Sequence, residues 1–248
     1  MLPLILIPGL LSTAALWDCM RGHLPPAWPI QALGPLDQPA IGDMAEAILA
    51  DAPPAFALCG HSMGGYVCLE LIRRAPERVR ALILVNTSAR PDTPEQRQVR
   101  LDATQLAQRG RFVGVSRRFF PRLVAERARD DAGLLATVQA MATEVGAEGF
   151  VTQQHLIMGR PDSRPDLAQI SCPSLVVGGR EDQVTSPALT VEMYEQIPHC
   201  DLHLLSDCGH LAPPERPQRL ARLLISLLED AQDVSPALPG ISRDPRGV

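Results

Sequence analysis

The hexapeptide Gly60-His61-Ser62-Met63-Gly64-Gly65 constrains the fold of this chain more than any other feature. It follows an apolar run at residues 55–59 that is typical of a buried strand, and it precedes a helical pattern over residues 63–75. A serine at such a strand–turn–helix junction lies in strained backbone, and the flanking glycines avoid collisions with the neighbouring strand and helix. The motif therefore predicts a nucleophilic serine above the carboxyl edge of a sheet. The alternative is a glycine-rich turn in which Ser62 only caps the helix.

The remaining apolar pattern predicts an α/β fold. Short apolar runs alternate with helical patterns, which is typical of a parallel sheet with crossover helices. The predicted strands cover residues 2–7, 29–33, 55–59, 81–86, 174–179 and 201–205, and the predicted helices cover residues 43–51, 63–75, 187–196 and 214–229. We expect a mostly parallel sheet of about six strands with helices on its faces.

Residues 88–165 interrupt this alternation, since they contain no convincing strand and place apolar residues at helical spacing. A structureless loop of that length is unusual in a compact domain, so the segment is predicted to be an inserted helical cap. Residues 1–87 and 166–232 then form the core. The tail, residues 233–248, is rich in Pro, Gly and Ser and is expected to be flexible.

Charge and composition exclude several classes of function. The 248 residues carry a net charge of −5, which disfavours a nucleic-acid-binding surface. All 23 basic residues are Arg, so chemistry that needs a lysine amine, such as Schiff-base formation, is excluded. The six cysteines form no C-x-x-C pair, which indicates reduced, mostly buried thiols.

The N-terminal stretch raises the question of targeting. The first seventeen residues have no charged side chain, but they lack the basic start of a signal peptide, and Pro3, Pro8 and Gly9 interrupt the apolar run. Asp18 follows too early for a spanning helix. We therefore expect a cytoplasmic protein without a membrane partner.

A serine nucleophile needs a base and a group that orients the base, and two later strand ends supply them. Asp182 follows the strand at 174–179, and His210 follows the strand at 201–205. Since carboxyl ends of parallel strands meet at one edge, Ser62, His210 and Asp182 are predicted to converge there as nucleophile, base and orienting acid. Alternatives remain: Glu181 or Asp207 as the acid, Asp182 as a cap of the helix at Ser186-Pro187, and His210 as a surface histidine. Asn86 also ends a strand, but an amide cannot serve as the acid.

Acyl transfer also needs donors for the oxyanion. The turn Pro8-Gly9-Leu10-Leu11 follows the first predicted strand and is able to aim the Leu10 N–H at a substrate oxygen, opposite the Met63 N–H. The alternative is a plain turn at the end of the strand.

These residues resemble the α/β-hydrolase superfamily, in its serine esterase branch with a helical cap. The Gly60–Gly65 motif is similar to its nucleophile elbow, Pro8-Gly9-Leu10-Leu11 to its oxyanion loop, and Gly209-His210 to its histidine loop. The resemblance implies a serine hydrolase without metal or organic cofactor. Two departures stand out: Pro8 replaces the usual His of the oxyanion motif, and the usual N-terminal hairpin is absent.

The segment 88–165 is predicted to select the substrate. Its aromatic and Met side chains, together with one tryptophan behind the oxyanion loop, are candidates for an acyl pocket, although packing of the segment on itself is the more common role of such residues. Its arginines are able to receive an anionic substrate or to form a solvated helix face. The pocket candidates are Trp17, Phe112, Phe119, Phe120, Met141 and Met158, and Phe150 belongs to the same set.

The function predicted from the sequence is hydrolysis of small to medium carboxylic esters, by a monomer or homodimer acting on a small-molecule substrate. Ser62 in place of an aspartate argues against dehalogenase and epoxide hydrolase chemistry. A lactonase or C–C bond hydrolase with the same three residues is the alternative. A ligand receptor without catalytic activity is a further one, and loss of the histidine would have favoured it.

Overall fold

The computed structural model describes residues 1–233, and these contain one parallel sheet of six strands. The strand order is β2-β1-β3-β4-β5-β6, which agrees with the predicted number and direction. Every carboxyl end therefore lies at the same edge, where Ser62, Asp182 and His210 follow their strands. The strands are β1 (Leu4–Ile7), β2 (Ile30–Ala32), β3 (Phe56–His61), β4 (Val79–Val85), β5 (Ser174–Gly179) and β6 (Cys200–Leu205).

Helices cover both faces of the sheet, because successive strand side chains point to opposite faces and both sets are apolar. In β1, Leu4 and Leu6 belong to one core cluster while Ile5 and Ile7 belong to the other. The first cluster includes side chains of α1 (Asp18–Arg21) and α8 (Pro217–Asp233). The second includes side chains of α2 (Ile41–Asp51), α3 (Met63–Arg74) and α6 (Pro187–Gln196).

The segment 88–165 is helical, and its main elements are α4 (Pro94–Gln108) and α5 (Ala132–Met158). Short 3-10 turns at Phe120–Arg122 and Glu126–Ala128 connect them. Gly146 has φ +66° and interrupts the helical geometry of α5. Buried side chains from this segment, such as Val124 and Val138, share one apolar cluster with the sheet. The division into core and cap stays a prediction.

One predicted helix is wrong in its extent. The pattern at 214–229 predicts a single helix, whereas the structure has α7 (Ala212–Glu215) followed by α8. Proline disfavours helical backbone in the residue before it, and Arg216 before Pro217 has φ −134° and ψ 48°. The flexible tail predicted for 233–248 lies outside the described residues except for Asp233, which ends α8.

Across residues 1–233, no helix has both the length and the apolar character that a membrane crossing requires.

Candidate active site

Ser62 sits on a tight turn between β3 and α3 with φ 52° and ψ −115°, a conformation that non-glycine residues rarely adopt. The turn is closely packed: a Cβ on Gly64 would lie 2.2 Å from the Ile7 carbonyl oxygen, and a Cβ on Gly60 would lie 2.4 Å from the Gly64 carbonyl oxygen. Thr87 Oγ1 donates to the Ser62 carbonyl at 2.7 Å. The neighbouring strand and helix therefore hold the serine in its strained conformation.

His210 lies beyond β6 with its ring between Ser62 and Asp182. Its Nδ1 is 2.9 Å from Asp182 Oδ2, and its Nε2 is 2.9 Å from Ser62 Oγ. Because an ionised carboxylate only accepts, Nδ1 carries the proton and Nε2 is the acceptor that faces the serine hydroxyl. The imidazole is 5% exposed. The ring is thus arranged to take a proton from Ser62.

The two carboxylate oxygens of Asp182 accept hydrogen bonds from different groups. Oδ1 accepts from the backbone N–H groups of Val184 and Thr185 at 2.8 and 2.9 Å, which lie in the turn before α6, so Asp182 does not cap that helix. Oδ2 accepts from Thr185 Oγ1 at 2.7 Å and Asn86 Nδ2 at 2.8 Å as well as from His210. Burial raises the carboxyl pKa, but the charge of His210 and these hydrogen bonds outweigh it and lower the pKa to about 2. Asp182 is therefore ionised.

The alternative acids lie elsewhere. Glu181 Oε2 accepts from the Glu126 backbone N–H at 2.8 Å, which directs it toward the segment 88–165. Asp207 pairs with Arg216 at 2.8 Å and its side chain is 68% exposed. Among these candidates only Asp182 contacts His210.

Three side chains that the sequence analysis did not assign support the site. Asn86, which was set aside as an acid, donates to the Asp182 carboxylate and to the Gly209 carbonyl. Buried Glu215 accepts from the backbone N–H groups of Gly209 at 2.9 Å and Ala125 at 2.8 Å. Thr185 donates to Asp182. The position of Asn86 at a strand end signalled a role, and Thr185 lies only three residues from Asp182. The contact between Glu215 and Ala125 joins parts of the chain 90 residues apart.

His61 holds the backbone of the catalytic candidate His210. Its Nε2 donates to the His210 carbonyl at 2.8 Å, and its ring is 2% exposed. Burial, followed by repulsion from His210, lowers the pKa of His61 to about 3. The ring is neutral at neutral pH, with its single proton on Nε2. His61 therefore cannot compete as the base.

The two predicted oxyanion donors, Leu10 and Met63, lie on chain segments that pack against each other. A Cβ on Gly9 would lie 3.2 Å from the Ser62 Cβ, so the loop that carries Leu10 packs directly against the nucleophile. Met63 is the first residue of α3, where backbone N–H groups have no helical acceptor. Within residues 1–233, neither the Leu10 nor the Met63 amide has a protein acceptor. Both remain available for a substrate oxygen.

Four of the six predicted pocket side chains are either fully buried or well exposed. Trp17, Phe120 and Met141 expose 2% or less and belong to the core cluster, because the apolar surface of the sheet needs bulky side chains to cover it. Trp17 contacts His61 edge-on at 6.5 Å between ring centroids. Phe119 is 43% exposed, with the Arg122 guanidinium 5.7 Å from its ring. The role of these four in an acyl pocket stays a prediction.

The remaining pocket candidates are half-buried. Phe112 packs against Phe150 with ring centroids 5.4 Å apart, and Met158 lies at the end of α5. Their role in a pocket stays a prediction. A cavity of about 110 Å³ lies elsewhere, between the end of α3 and residues 163–172, and no predicted site residue lines it. In the described part of the chain, no cluster of three or more His, Cys, Asp or Glu is arranged to bind a metal ion.

Known proteins resemble this chain in sequence and in structure. A pimeloyl-[acyl-carrier protein] methyl ester esterase of Nitrosomonas europaea is 31% identical over 188 residues, which cover 72% of this chain and 71% of that protein. The 3-oxoadipate enol-lactonase 2 of Acinetobacter baylyi is 29% identical over 205 residues, 80% of this chain and 72% of that protein. The structure of a thermophilic esterase from Thermogutta terrifontis superposes with a TM-score of 0.84 at 26% identity, covering 93% of this chain and 90% of that one.

A family model covers nearly the whole described chain. The model for the Alpha/beta hydrolase family matches residues 4–223, a range that contains the elbow, the Asp182 turn and the His210 loop. The resemblance inferred from the sequence motifs is thus confirmed, together with the six-stranded parallel sheet. The chain belongs to the alpha/beta hydrolase family.

Proposed function

We propose that this ester-hydrolysing enzyme cleaves carboxylic esters of small to medium acyl groups through an acyl-enzyme on Ser62. One observation carries the proposal: hydrogen bonds of 2.9 Å join Ser62 Oγ to His210 Nε2 and His210 Nδ1 to Asp182 Oδ2. Such a chain turns an otherwise weak hydroxyl into a nucleophile. The esterase and lactonase activities for which the relatives are named support ester bonds as the target.

In the first half of the proposed reaction, Ser62 Oγ attacks the ester carbonyl while His210 Nε2 takes the hydroxyl proton. The carbonyl oxygen becomes an oxyanion, which the Leu10 and Met63 N–H groups bind. Asp182, with its low pKa, stabilises the imidazolium that forms. His210 then gives the proton to the alcohol oxygen, the C–O bond breaks, and the alcohol leaves.

The second half repeats the chemistry with water. His210 removes a proton from water, and the resulting hydroxide attacks the acyl carbon of the Ser62 ester. The same N–H groups bind the second oxyanion. Protonation of Ser62 Oγ by His210 releases the carboxylic acid and restores the enzyme.

The test is hydrolysis of p-nitrophenyl esters from acetate to laurate by the wild type and Ser62→Ala. Ser174→Ala is the control, because Ser174 is a serine at the first residue of β5, at the end of the sheet opposite to Ser62. We expect Ser62→Ala to lose at least about 10³-fold of kcat/KM. Ser174→Ala should keep the wild-type rate. An optimum in chain length would measure the depth of the acyl site.

Two results would overturn this proposal. A folded Ser62→Ala variant with a rate near that of the wild type would remove Ser62 as the nucleophile. A folded wild type without activity on any of these esters, but active on a lactone or a vinylogous diketone, would favour the alternative hydrolases considered from the sequence.

For the substrate itself, we propose an acyl group that carries a negative charge or is attached to an acidic carrier. Residues 103–125 contain five arginines and no Asp or Glu, although the whole chain has a charge of −5. All five are exposed, and the segment contains Leu123, whose carbonyl accepts from the His210 N–H at 2.9 Å. These arginines are Arg109, Arg111, Arg117, Arg118 and Arg122.

The names of two relatives also support an anionic substrate. One is named for a pimeloyl ester on acyl-carrier protein and another for the enol-lactone of 3-oxoadipate, and both names refer to dicarboxylic acids. These five exposed arginines would raise the local concentration of an anionic substrate, and this effect weakens as the salt concentration rises.

The charge proposal is tested with p-nitrophenyl hydrogen glutarate against neutral p-nitrophenyl valerate, which has the same acyl length. We expect the Arg117→Gln/Arg118→Gln variant to lose several-fold in kcat/KM for the anionic ester only, with the loss vanishing at high salt. Arg219→Gln/Arg222→Gln on α8 is the matched control, since it removes two exposed charges far along the chain from this segment. Equal losses for both esters would contradict the proposal.

Lactone opening is the second candidate, favoured by the 29% identical enol-lactonase. It uses the same attack by Ser62, but the alcohol stays attached to the acyl chain. Rates on a lactone and on the matched open-chain ester distinguish the two, because a lactonase would prefer the ring.

A further inference from the structure

The loop that carries the proposed oxyanion donor Leu10 has an unusual turn. The Ser12 N–H donates to the Gly9 carbonyl at 3.2 Å, which closes a four-residue turn with Leu10 and Leu11 at its centre. Leu11 has φ 56°, at the turn position where glycine or asparagine is usually required for positive φ. Leucine is costly in this conformation, so something else must hold the turn.

The side chain of Gln153 supplies that contact. Its Oε1 accepts from the Leu11 backbone N–H at 2.9 Å, and its Nε2 donates to the Leu36 carbonyl at 3.3 Å. Gln153 is fully buried, and Leu11 is 8% exposed. The amide therefore connects two loops at the carboxyl edge of the sheet to α5, 142 residues further along the chain.

The position of Gln153 in α5 depends on a break in that helix. Gly146 has φ 66° and ψ −176°, so the part of α5 that contains Gln153 runs in a different direction from the part before it. After the break, Leu156 and Ile157 enter the core cluster beneath the sheet face covered by α3. The helical segment thus reaches the core where the oxyanion loop lies.

We propose that Gln153 is a positioning residue that fixes the oxyanion loop, and through it the Leu10 N–H, for the transition state; this rests on the proposed function. Without its acceptor, the buried Leu11 N–H would be unsatisfied, which favours rotation of the peptides on either side of Leu10. The Gly9 carbonyl and the Leu10 N–H belong to one peptide unit, so loss of this turn moves the donor. In the described part of the chain, Gln153 makes no hydrogen bond to Ser62 or His210.

The test compares Gln153→Met with Gln154→Met. The two glutamines are adjacent, and both are buried, but Gln154 accepts from Arg100 and does not contact the oxyanion loop. We expect Gln153→Met to lower kcat roughly 10-fold with KM nearly unchanged, because a misplaced donor weakens only transition-state binding. Gln154→Met should keep kcat. Thermal unfolding of both variants shows whether they are equally folded.

Two further measurements separate positioning from a general loss of packing. A trifluoromethyl ketone inhibitor, which forms an oxyanion on the serine, should bind Gln153→Met more weakly by the same factor as the fall in kcat/KM. Gln153→Glu, which keeps an acceptor for the Leu11 N–H but cannot donate to Leu36, should retain more of kcat than Gln153→Met.

These experiments distinguish an error in the role proposed for Gln153 from an error in the proposed function. Wild-type kcat and inhibitor binding in a folded Gln153→Met would overturn the positioning role while leaving Ser62 chemistry intact. Equal losses in Gln153→Met and Gln154→Met would assign the effect to packing and also overturn it. If Gln153→Met does not fold, the kinetics of Gln153→Glu provide the test. A change in KM without a change in kcat in that variant would contradict the proposal. Activity that does not depend on Ser62 would instead refute the proposed function.

Discussion

Replacing Gly209 by alanine tests how the segment 88–165 positions the catalytic histidine candidate. A Cβ at this position would lie 2.5 Å from the Val124 carbonyl carbon and 2.7 Å from the Ala125 nitrogen. The first distance is about 0.9 Å closer than the 3.4 Å at which ordinary contact begins. Both partners are backbone atoms, so the two segments must separate. Leu123 beside them accepts from the His210 N–H at 2.9 Å, and that hydrogen bond would lengthen or break.

The magnitude follows from this geometry. Overpacking of this kind lowers the free energy of unfolding by about 1–3 kcal/mol, which for a chain of this size lowers Tm by roughly 2–12 °C. If His210 follows its backbone by even part of the required shift, Nε2 no longer lies 2.9 Å from Ser62 Oγ. Misplacement of about 1 Å lowers rates up to about 10²-fold, so kcat should fall between 10- and 100-fold.

The assay is the p-nitrophenyl ester rate together with thermal unfolding, with Gly22→Ala as the control. Gly22 is exposed and has right-handed backbone (φ −62°, ψ −13°), and the nearest atom to an added Cβ would be 4.0 Å away. Gly22→Ala should leave kcat unchanged and raise stability slightly. A Gly209→Ala variant with wild-type Tm and kcat would refute the close approach of these two loops and the argument built on it.

Three further predictions concern support of the site and packing. Asn86→Leu removes the amide that donates to Asp182, so kcat should fall roughly 10-fold while circular dichroism stays native. Because burial holds the pKa of His61 near 3 from a usual 6.5, the unfolded chain binds an extra proton between these pH values. Stability should therefore fall by roughly 1 kcal/mol per pH unit as pH drops through this window, and urea unfolding of His61→Gln should show a flatter pH dependence. Phe120→Ala should cost about 3–5 kcal/mol in urea unfolding, whereas Phe119→Ala, half exposed, should cost far less; equal costs would contradict the packing assigned to Phe120.

The sheet was predictable because its signals are local. Alternating apolar strands and helical patterns, with Gly60–Gly65 between β3 and α3, depend only on residues close in sequence. Since parallel strands share one carboxyl edge, the approach of Ser62, Asp182 and His210 followed from chain order alone. Their roles stay a prediction until they are tested, and so does the division into core and cap.

The sequence by itself determined the strands, the elbow and the three side chains that follow strand ends. Only the tertiary structure decided which distant groups surround them: Asn86 on Asp182, Glu215 on the Ala125 N–H, and Gln153 on the Leu11 N–H. It also decided that Trp17, Phe120 and Met141 are buried in the core cluster. The physical reason is distance along the chain. Periodicity and turn chemistry act over a few residues, whereas a buried hydrogen bond or an apolar contact is satisfied by whichever distant atom the fold brings into reach.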